Sequence, residues 1–410
     1  MPRLPLLSWS SRHAWWAPTL LLAAGIPLAF FEPLVIEAYD ERVFHLPAIQ
    51  KFAAELPLPD IRDYSAATGP LYQVVMAIPV RAGVDNVIGL RMISLLIAAA
   101  GALALWRFFA VLTTPARAAF SASIVALSPY YLGPAIYLNT DSLAFGAMAF
   151  ALTAWLAPAS SSAGMGIAST VAILTRHIFA WLIPLSVLHW WRGRRSIGEL
   201  LWTAVPLAAL LTLFLLWGGT VPPAFGVHRA SSGLLPLLVV LGTLGPWAVP
   251  LLPSFAAGAN PRRAALAFVV LGAASAAYLL LWPLGDAHPA PWGGGLRTLG
   301  RYMGTLAGTS LLYWIAVLLG VLTVSLWVAR RPTAVSRNLF IALALWSLMQ
   351  TANAAMHERY YHPFLLLILL ALTADATDTR SRLGRAVIAV MVITASVLRF
   401  VVHGGGVLRF

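Results

Sequence analysis

From Trp15 to Ile36 the chain reads WWAPTLLLAAGIPLAFFEPLVI, with Glu32 its one charged residue. A helix of that length rises about 33 Å, which matches a hydrocarbon core of roughly 30 Å. Comparable runs recur near 88–112, 117–133, 141–157, 164–175, 178–191, 198–218, 233–252, 264–284, 306–328, 338–354, 363–374 and 386–402. Backbone groups in hydrocarbon must be satisfied within the segment, which helices do. The expected fold class is therefore all-α, a polytopic membrane protein with about 11 to 13 transmembrane helices. Composition agrees: 60% of residues are hydrophobic and 10% charged, against roughly 25% charged in soluble domains.

The net charge of +13 would suggest nucleic acid in a soluble protein, but the basic residues form short Arg clusters between apolar runs. They read as topology signals, and no nucleic-acid partner is expected. The chain has no Cys, so disulfides, thiolate metal sites and Cys nucleophiles are excluded. Arg3 and Arg12 ahead of the first run imitate a signal peptide, yet the run is too long and lacks a small-x-small cleavage site. It reads as a first span that stays.

Placing the N-terminus in the cytoplasm and alternating sides puts fifteen Arg and three acids inside, a balance of +12, and twelve basic residues and eleven acids outside, a balance of +1. That split obeys the positive-inside rule. Counting residues 70–82, PLYQVVMAIPVRA, as a further span would send the later Arg clusters outward. They are expected to form a helix in or on the outer membrane surface instead. The layout is one membrane domain over 1–410: a first span at 15–36, a large first outer loop at 37–87 with amphipathic surface helices, and the remaining spans over 88–402.

Seven of the outer acids, Glu32, Glu37, Asp40, Glu41, Glu55, Asp60 and Asp63, fall in one segment of 32 residues. Asp141 in YLNTDSLAF and Glu358 in HERYYHP sit between apolar runs. Carboxylates at a membrane boundary are costly unless paired or facing water, so each is a candidate functional residue. From Asp40 to Leu56 apolar residues recur at helical spacing. Asp40 falls at the start of that pattern, where a plain N-cap competes with a chemical role. Glu41 and His45 are four apart on one helical face, which suits proton abstraction or simple mutual hydrogen bonding equally well. Outward basic candidates for an anionic phosphate are Arg62, Arg91, Arg176, Arg229, Arg297, Arg301 and Arg359. For Arg176, in LTRHIFAWL, snorkelling to the interface is the competing explanation.

In order, YDERVFHLPAIQKF, TGPLYQVV, GLRMISLL, YLNTDSLAF, TRHIFAWLIP and ERYYHPFLL resemble the motifs of the dolichyl-phosphate-glucose alpha-1,2-glucosyltransferases, which add the last glucose to the lipid-linked oligosaccharide. The resemblance covers about the first 190 residues and a short C-terminal block. It implies a C-type membrane glycosyltransferase (GT-C) that takes a sugar from a polyprenyl-phosphate donor and works on the non-cytoplasmic face. An acidic pair in the first outer loop then acts at the acceptor or at a divalent metal. Carried over, the pair is Asp40 and Glu41, one as general base and the other as its partner. His45 and Gln50 fall at matching positions for acceptor contacts or loop structure. Tyr72, Arg91, Asp141, Arg176, Glu358, Arg359 and Tyr360 are carried over as substrate-binding. The family's RQTN is replaced by TRHIF, so of that motif only Arg176 remains.

The residues suit such chemistry without the name. A sugar phosphate is already a good leaving group, so an outward carboxylate to deprotonate a hydroxyl and outward Arg to receive phosphate charge suffice. The expected partners are a polyprenyl-phosphate-linked sugar, a glycan or lipid-linked acceptor, and membrane lipids. No cofactor is demanded, and a divalent metal is left open. A secondary transporter or lipid-linked-sugar flippase is the alternative; it predicts charges in mid-span or pseudo-symmetric halves, and neither is visible. A non-catalytic scaffold leaves the outer acids without a purpose. Abundant Arg against a single Lys, Lys51, points to a GC-rich bacterial genome and a plasma membrane, or the endoplasmic reticulum membrane in a eukaryote.

Four further signals carry less weight. GMGIAS at Gly164 follows no strand and reads as small-residue helix packing instead of a dinucleotide fingerprint. DATD at 375–378 reads as a solvated cytoplasmic loop, and His357 and His362 are spaced poorly for zinc. Pro291 to Tyr302 reads either as a loop closing over substrate or as an ordinary Gly-rich connection.

Overall fold

The structure, a computed structural model, describes residues 11–403 except 32, 34, 158–161, 194–195, 229–232, 284–291, 294 and 353–355. Nineteen α-helices follow in chain order: α1 (Trp16–Phe31), α2 (Ile36–Asp40), α3 (Leu46–Glu55), α4 (Leu71–Arg81), α5 (Val87–Ala110), α6 (Pro115–Ala126), α7 (Pro129–Ile136), α8 (Asp141–Leu156), α9 (Ser162–Thr175), α10 (Leu182–Arg192), α11 (Ile197–Trp217), α12 (Leu235–Ala248), α13 (Leu252–Ala256), α14 (Pro261–Leu281), α15 (Gly295–Gly300), α16 (Leu311–Val328), α17 (Ala334–Gln350), α18 (Glu358–Leu372) and α19 (Thr379–Val397). The protein is an all-α polytopic membrane protein. Every apolar segment expected from the sequence is largely helical.

Length separates these helices into two groups. Seven are long and apolar enough to cross a membrane, and an eighth span exists if α6 and α7 count together. That pair, expected as one helix over 117–133, bends by 69°. The break falls at Ser128, ahead of Pro129, whose ring removes an N–H and restricts the preceding residue. Helices α8 and α9 are shorter and reach only about 21–24 Å, less than the roughly 30 Å core. α4, the segment expected on the membrane surface, has 11 residues, about 16 Å of rise.

Polar residues at the edges of the apolar runs define several boundaries. Asn86, Ser196, Asn260, Ser310 and Thr333 each accept a first-turn backbone N–H at the start of α5, α11, α14, α16 and α17. Ser310 also explains why the span expected from 306 starts at Leu311: residues 305–310 form a small antiparallel hairpin around Gly308, at φ +77°.

The chain divides into two compact units, Met1–Arg229 with Val392–Arg409, and Ala230–Met391. In the first, Gly166 of the GMGIAS stretch packs so closely on the Trp202 carbonyl of α11 that a Cβ would not fit. That contact supports the small-residue packing explanation. The far end of the chain is fastened to the first outer loop by Arg399, whose Nη2 donates to both carboxylate oxygens of fully buried Glu37 at 2.6 Å and whose guanidinium lies 4.5 Å over the Tyr130 ring. In the second unit, Ser381 bridges Ser254 and Asp378, and Trp346 stacks on Phe364 at 4.5 Å.

Candidate functional site

The segment expected as the first outer loop begins with a continuous helical rod in which α2 runs into a π-helical turn, Glu41–His45, and then α3. The rod was expected to start at Asp40. It starts at Ile36, and Asp40 has helical φ −59° and ψ −39° with no side-chain cap bond, so the N-cap explanation is corrected. Asp40 instead ends α2 with 7% of its surface exposed, and Glu41 beside it has 1%. π-turns interrupt the ordinary helical register and are frequent at functional sites.

Glu41 does not hydrogen-bond within the rod as an α-helical partner of His45. Its carboxylate is gripped by Arg91 from α5, through Nη2 to Oε1 at 2.6 Å and Nε to Oε2 at 3.0 Å. Oε2 also accepts the Leu138 backbone N–H at 2.9 Å. Arg91 in turn donates to the Ala29 carbonyl and lies 4.8 Å over the Tyr137 ring. The Tyr137 carbonyl accepts from Ser94, whose hydroxyl accepts from Tyr72 at 2.8 Å. Arg91 and Tyr72 are buried within this network, each bonded to protein groups.

That network leads to Asp141. Two residues separate it from Leu138, a span of at most about 11 Å between Cα atoms. Asp141 opens α8 and forms an ion pair with Arg176, which follows α9. Both side chains are only partly exposed, 17% and 13%, so Arg176 does not simply snorkel. Asp141 Oδ2 and the hydroxyls of Thr140 and Ser142 are buried without a hydrogen-bond partner among the described residues. All three lie at the N-terminal end of a 16-residue helix, where the dipole favours negative charge.

The turn before α4 fixes this arrangement. Gly69 packs on the Leu174 carbonyl, two residues before Arg176, so closely that a Cβ would collide with backbone. Gly69→Ala is therefore expected to destabilise the protein by about 1–3 kcal/mol, read as a lower melting temperature in detergent. Next to this contact lies an apolar groove of about 470 Å³, lined by Leu58, Ile61, Leu71, Val74, Leu174 and Leu216 among others.

Glu55, Asp60 and Asp63 make local structural contacts. Glu55 accepts from Lys51 and from the Asp60 N–H, and Asp63 accepts from the Ala224 N–H. Arg62 bonds the Asp60 carboxylate, holding it well below the usual carboxylate range on an exposed surface. Gln50 is exposed on α3. Glu32 and Arg229 lie outside the described residues.

Three carried-over residues belong to the second unit. Glu358 accepts the backbone N–H groups of Gly295 and Leu296 at 3.0 and 2.7 Å, and Trp292–Gly293 pairs in parallel with Met356–His357. The described residues of the connection expected either to close over substrate or to be ordinary are thus tied to the start of α18 by Glu358 and by this strand pair. Arg359 lies over the Tyr360 ring and donates to its hydroxyl at 2.8 Å. Among the described residues no three His, Asp or Glu side chains gather as a metal site.

The sequence did not single out Ser94, Tyr137, Ser142 or Gln73. Ser94 was in reach of inspection, standing three residues after Arg91 on the same helical face.

A scan against family models and a search of curated proteins each return no match. Two solved structures are similar. Crystal structures of ArnT from Cupriavidus metallidurans, apo and bound to undecaprenyl phosphate, share 13% and 14% identity. They cover 86% and 94% of this chain and 76% and 78% of theirs, with TM-scores of 0.39 and 0.40. At such values the likeness stands as a similarity only, and the chemistry rests on this chain's own residues.

Proposed function

We propose that the protein is a C-type membrane glycosyltransferase that moves a sugar from a polyprenyl-phosphate donor to a glycan or lipid-linked acceptor on the non-cytoplasmic face, with inversion. The observation that carries this reading is the tie from the Asp40–Glu41 step to the Asp141–Arg176 pair through the Glu41–Leu138 hydrogen bond. It supports a carboxylate base and a phosphate-receiving guanidinium on one wall.

In the proposed reaction the Asp40 carboxylate takes the proton of an acceptor hydroxyl. The oxygen attacks the anomeric carbon, and the bond from that carbon to the phosphate oxygen breaks, its electron pair leaving with the lipid phosphate. Arg176 receives the growing phosphate charge together with the N-terminal end of α8. The unpartnered Asp141 Oδ2, Thr140 and Ser142 oxygens would be satisfied by sugar hydroxyls. The groove reaching Leu174 suits the isoprenoid chain. Glu41 is the anchor of this arrangement. Arg359 and Tyr360 are proposed as donor contacts, with His45 and Gln50 on the acceptor side, and residues 1–410 as one working membrane domain. No step is routed through a metal.

Membranes carrying the protein, incubated with radiolabelled polyprenyl-phosphate glucose, mannose and arabinose, are expected to release label from one lipid into a larger product. Label that crosses the membrane still attached to its lipid would favour a flippase instead. Arg176→Gln is expected to lower transfer by about 100-fold, and Arg176→Lys to recover only part of it, because a point charge lacks the planar fork.

A further inference from the structure

Gln73 lies on α4, fully buried, with each end of its amide against two polar atoms. One end faces the Gly69 and Pro70 carbonyl oxygens at 3.0 and 3.3 Å, and the other faces His45 Nδ1 and Thr68 Oγ1, both at 3.2 Å. A carbonyl oxygen can only accept, so the amide NH2 belongs on the Gly69 and Pro70 side. The amide oxygen then faces His45, and the only way His45 Nδ1 can meet an acceptor is by carrying a proton. The reverse orientation sets an amide oxygen against two carbonyl oxygens in a buried site, which costs about 1–3 kcal/mol for each unsatisfied group.

A neutral imidazole carries one N–H. With that proton held on Nδ1, any hydrogen bond made by Nε2 in the neutral ring is one it accepts. His45 closes the π-turn that Glu41 opens, directly after Asp40, and is itself only 6% exposed. Thr68 Oγ1 supports the same orientation, since a hydroxyl can donate to the amide oxygen.

We infer that Gln73 is a positioning residue that locks His45 in the Nδ1–H form, so that its Nε2 lone pair receives a hydroxyl of the sugar acceptor beside Asp40. The acceptor part rests on the glycosyl-transfer reading above. The tautomer lock does not, because it follows from the amide's surroundings alone.

The test uses the full chain in lipid nanodiscs with 15N-labelled histidine, the His45 signals among the nine histidines being assigned by difference against His45→Gln. Wild type is expected to show a protonated Nδ1 and a bare Nε2 at neutral pH, and Gln73→Met, which keeps the volume but removes the amide, to lose that selectivity. A protonated Nε2 with a bare Nδ1 in wild type overturns the lock, whether or not the variant folds. In the labelled-lipid assay Gln73→Met is expected to lower kcat by about 5- to 10-fold with a smaller change in KM. An unchanged kcat overturns the positioning role. If the spectra show the lock and no lipid donor yields transfer, the glycosyl-transfer reading and the acceptor part fall together, and the lock stands.

Discussion

Asp40→Asn is expected to lower glycosyl transfer by about 100- to 10,000-fold, the range a positioned general base contributes, with the protein still folded. Asn keeps the size and hydrogen-bonding reach of Asp but cannot hold the proton of an attacking hydroxyl. The side chain sits at the end of α2, 7% exposed, and the Glu37–Arg399 and Glu41–Arg91 pairs on either side of it do not use its carboxylate. Losing the Asp40 charge should therefore leave those contacts in place. The measurements are a melting curve and a single-turnover rate on purified protein. The loss should appear in kcat, with KM little changed, because the missing interaction operates only as the proton moves. A variant that melts like wild type and transfers at the wild-type rate removes Asp40 from the role of base.

Much of the fold was legible because apolar runs of spanning length leave a helix few alternatives. Residues that begin helices, such as Asn86, Ser196 and Pro129, are also visible in a one-dimensional reading. The site was legible as an inventory but not as a set of partners. Asp141 and Arg176 stood out separately because a charge amid apolar residues is conspicuous. That they meet depends on how α8 and α9 pack. The acids of the first loop misled in the opposite direction: their crowding suggested shared chemistry, yet Glu37 is held by Arg399, 362 residues away. A buried ion pair across that separation leaves no local signature. The Glu41–His45 pairing failed for a different reason. It assumed an α-helical register at the place where the backbone makes a π-turn, and the guanidinium of Arg91, distant in sequence, takes the carboxylate with two parallel bonds.

Arg91→Leu should be among the most destabilising single substitutions in the first unit, costing about 3–5 kcal/mol. It leaves the Glu41 carboxylate, 1% exposed, with the Leu138 N–H as its recorded partner. Folded proteins hold only about 5–15 kcal/mol in reserve, so the variant should give little monodisperse protein and a much lower melting temperature. Glu41→Gln should also destabilise, because it leaves the buried guanidinium charge without its carboxylate. Combining Glu41→Leu with Arg91→Leu removes both charges, and stability should return in part, short of wild type because the Leu138 N–H loses its acceptor, a loss of about 1–3 kcal/mol. An Arg91→Leu protein that melts with wild type would show the pair to be dispensable. The double variant also separates the two acids. If Glu41 only anchors the wall, the refolded double variant should retain measurable transfer; if Glu41 is the base, transfer should be lost along with the carboxylate, however well the protein folds.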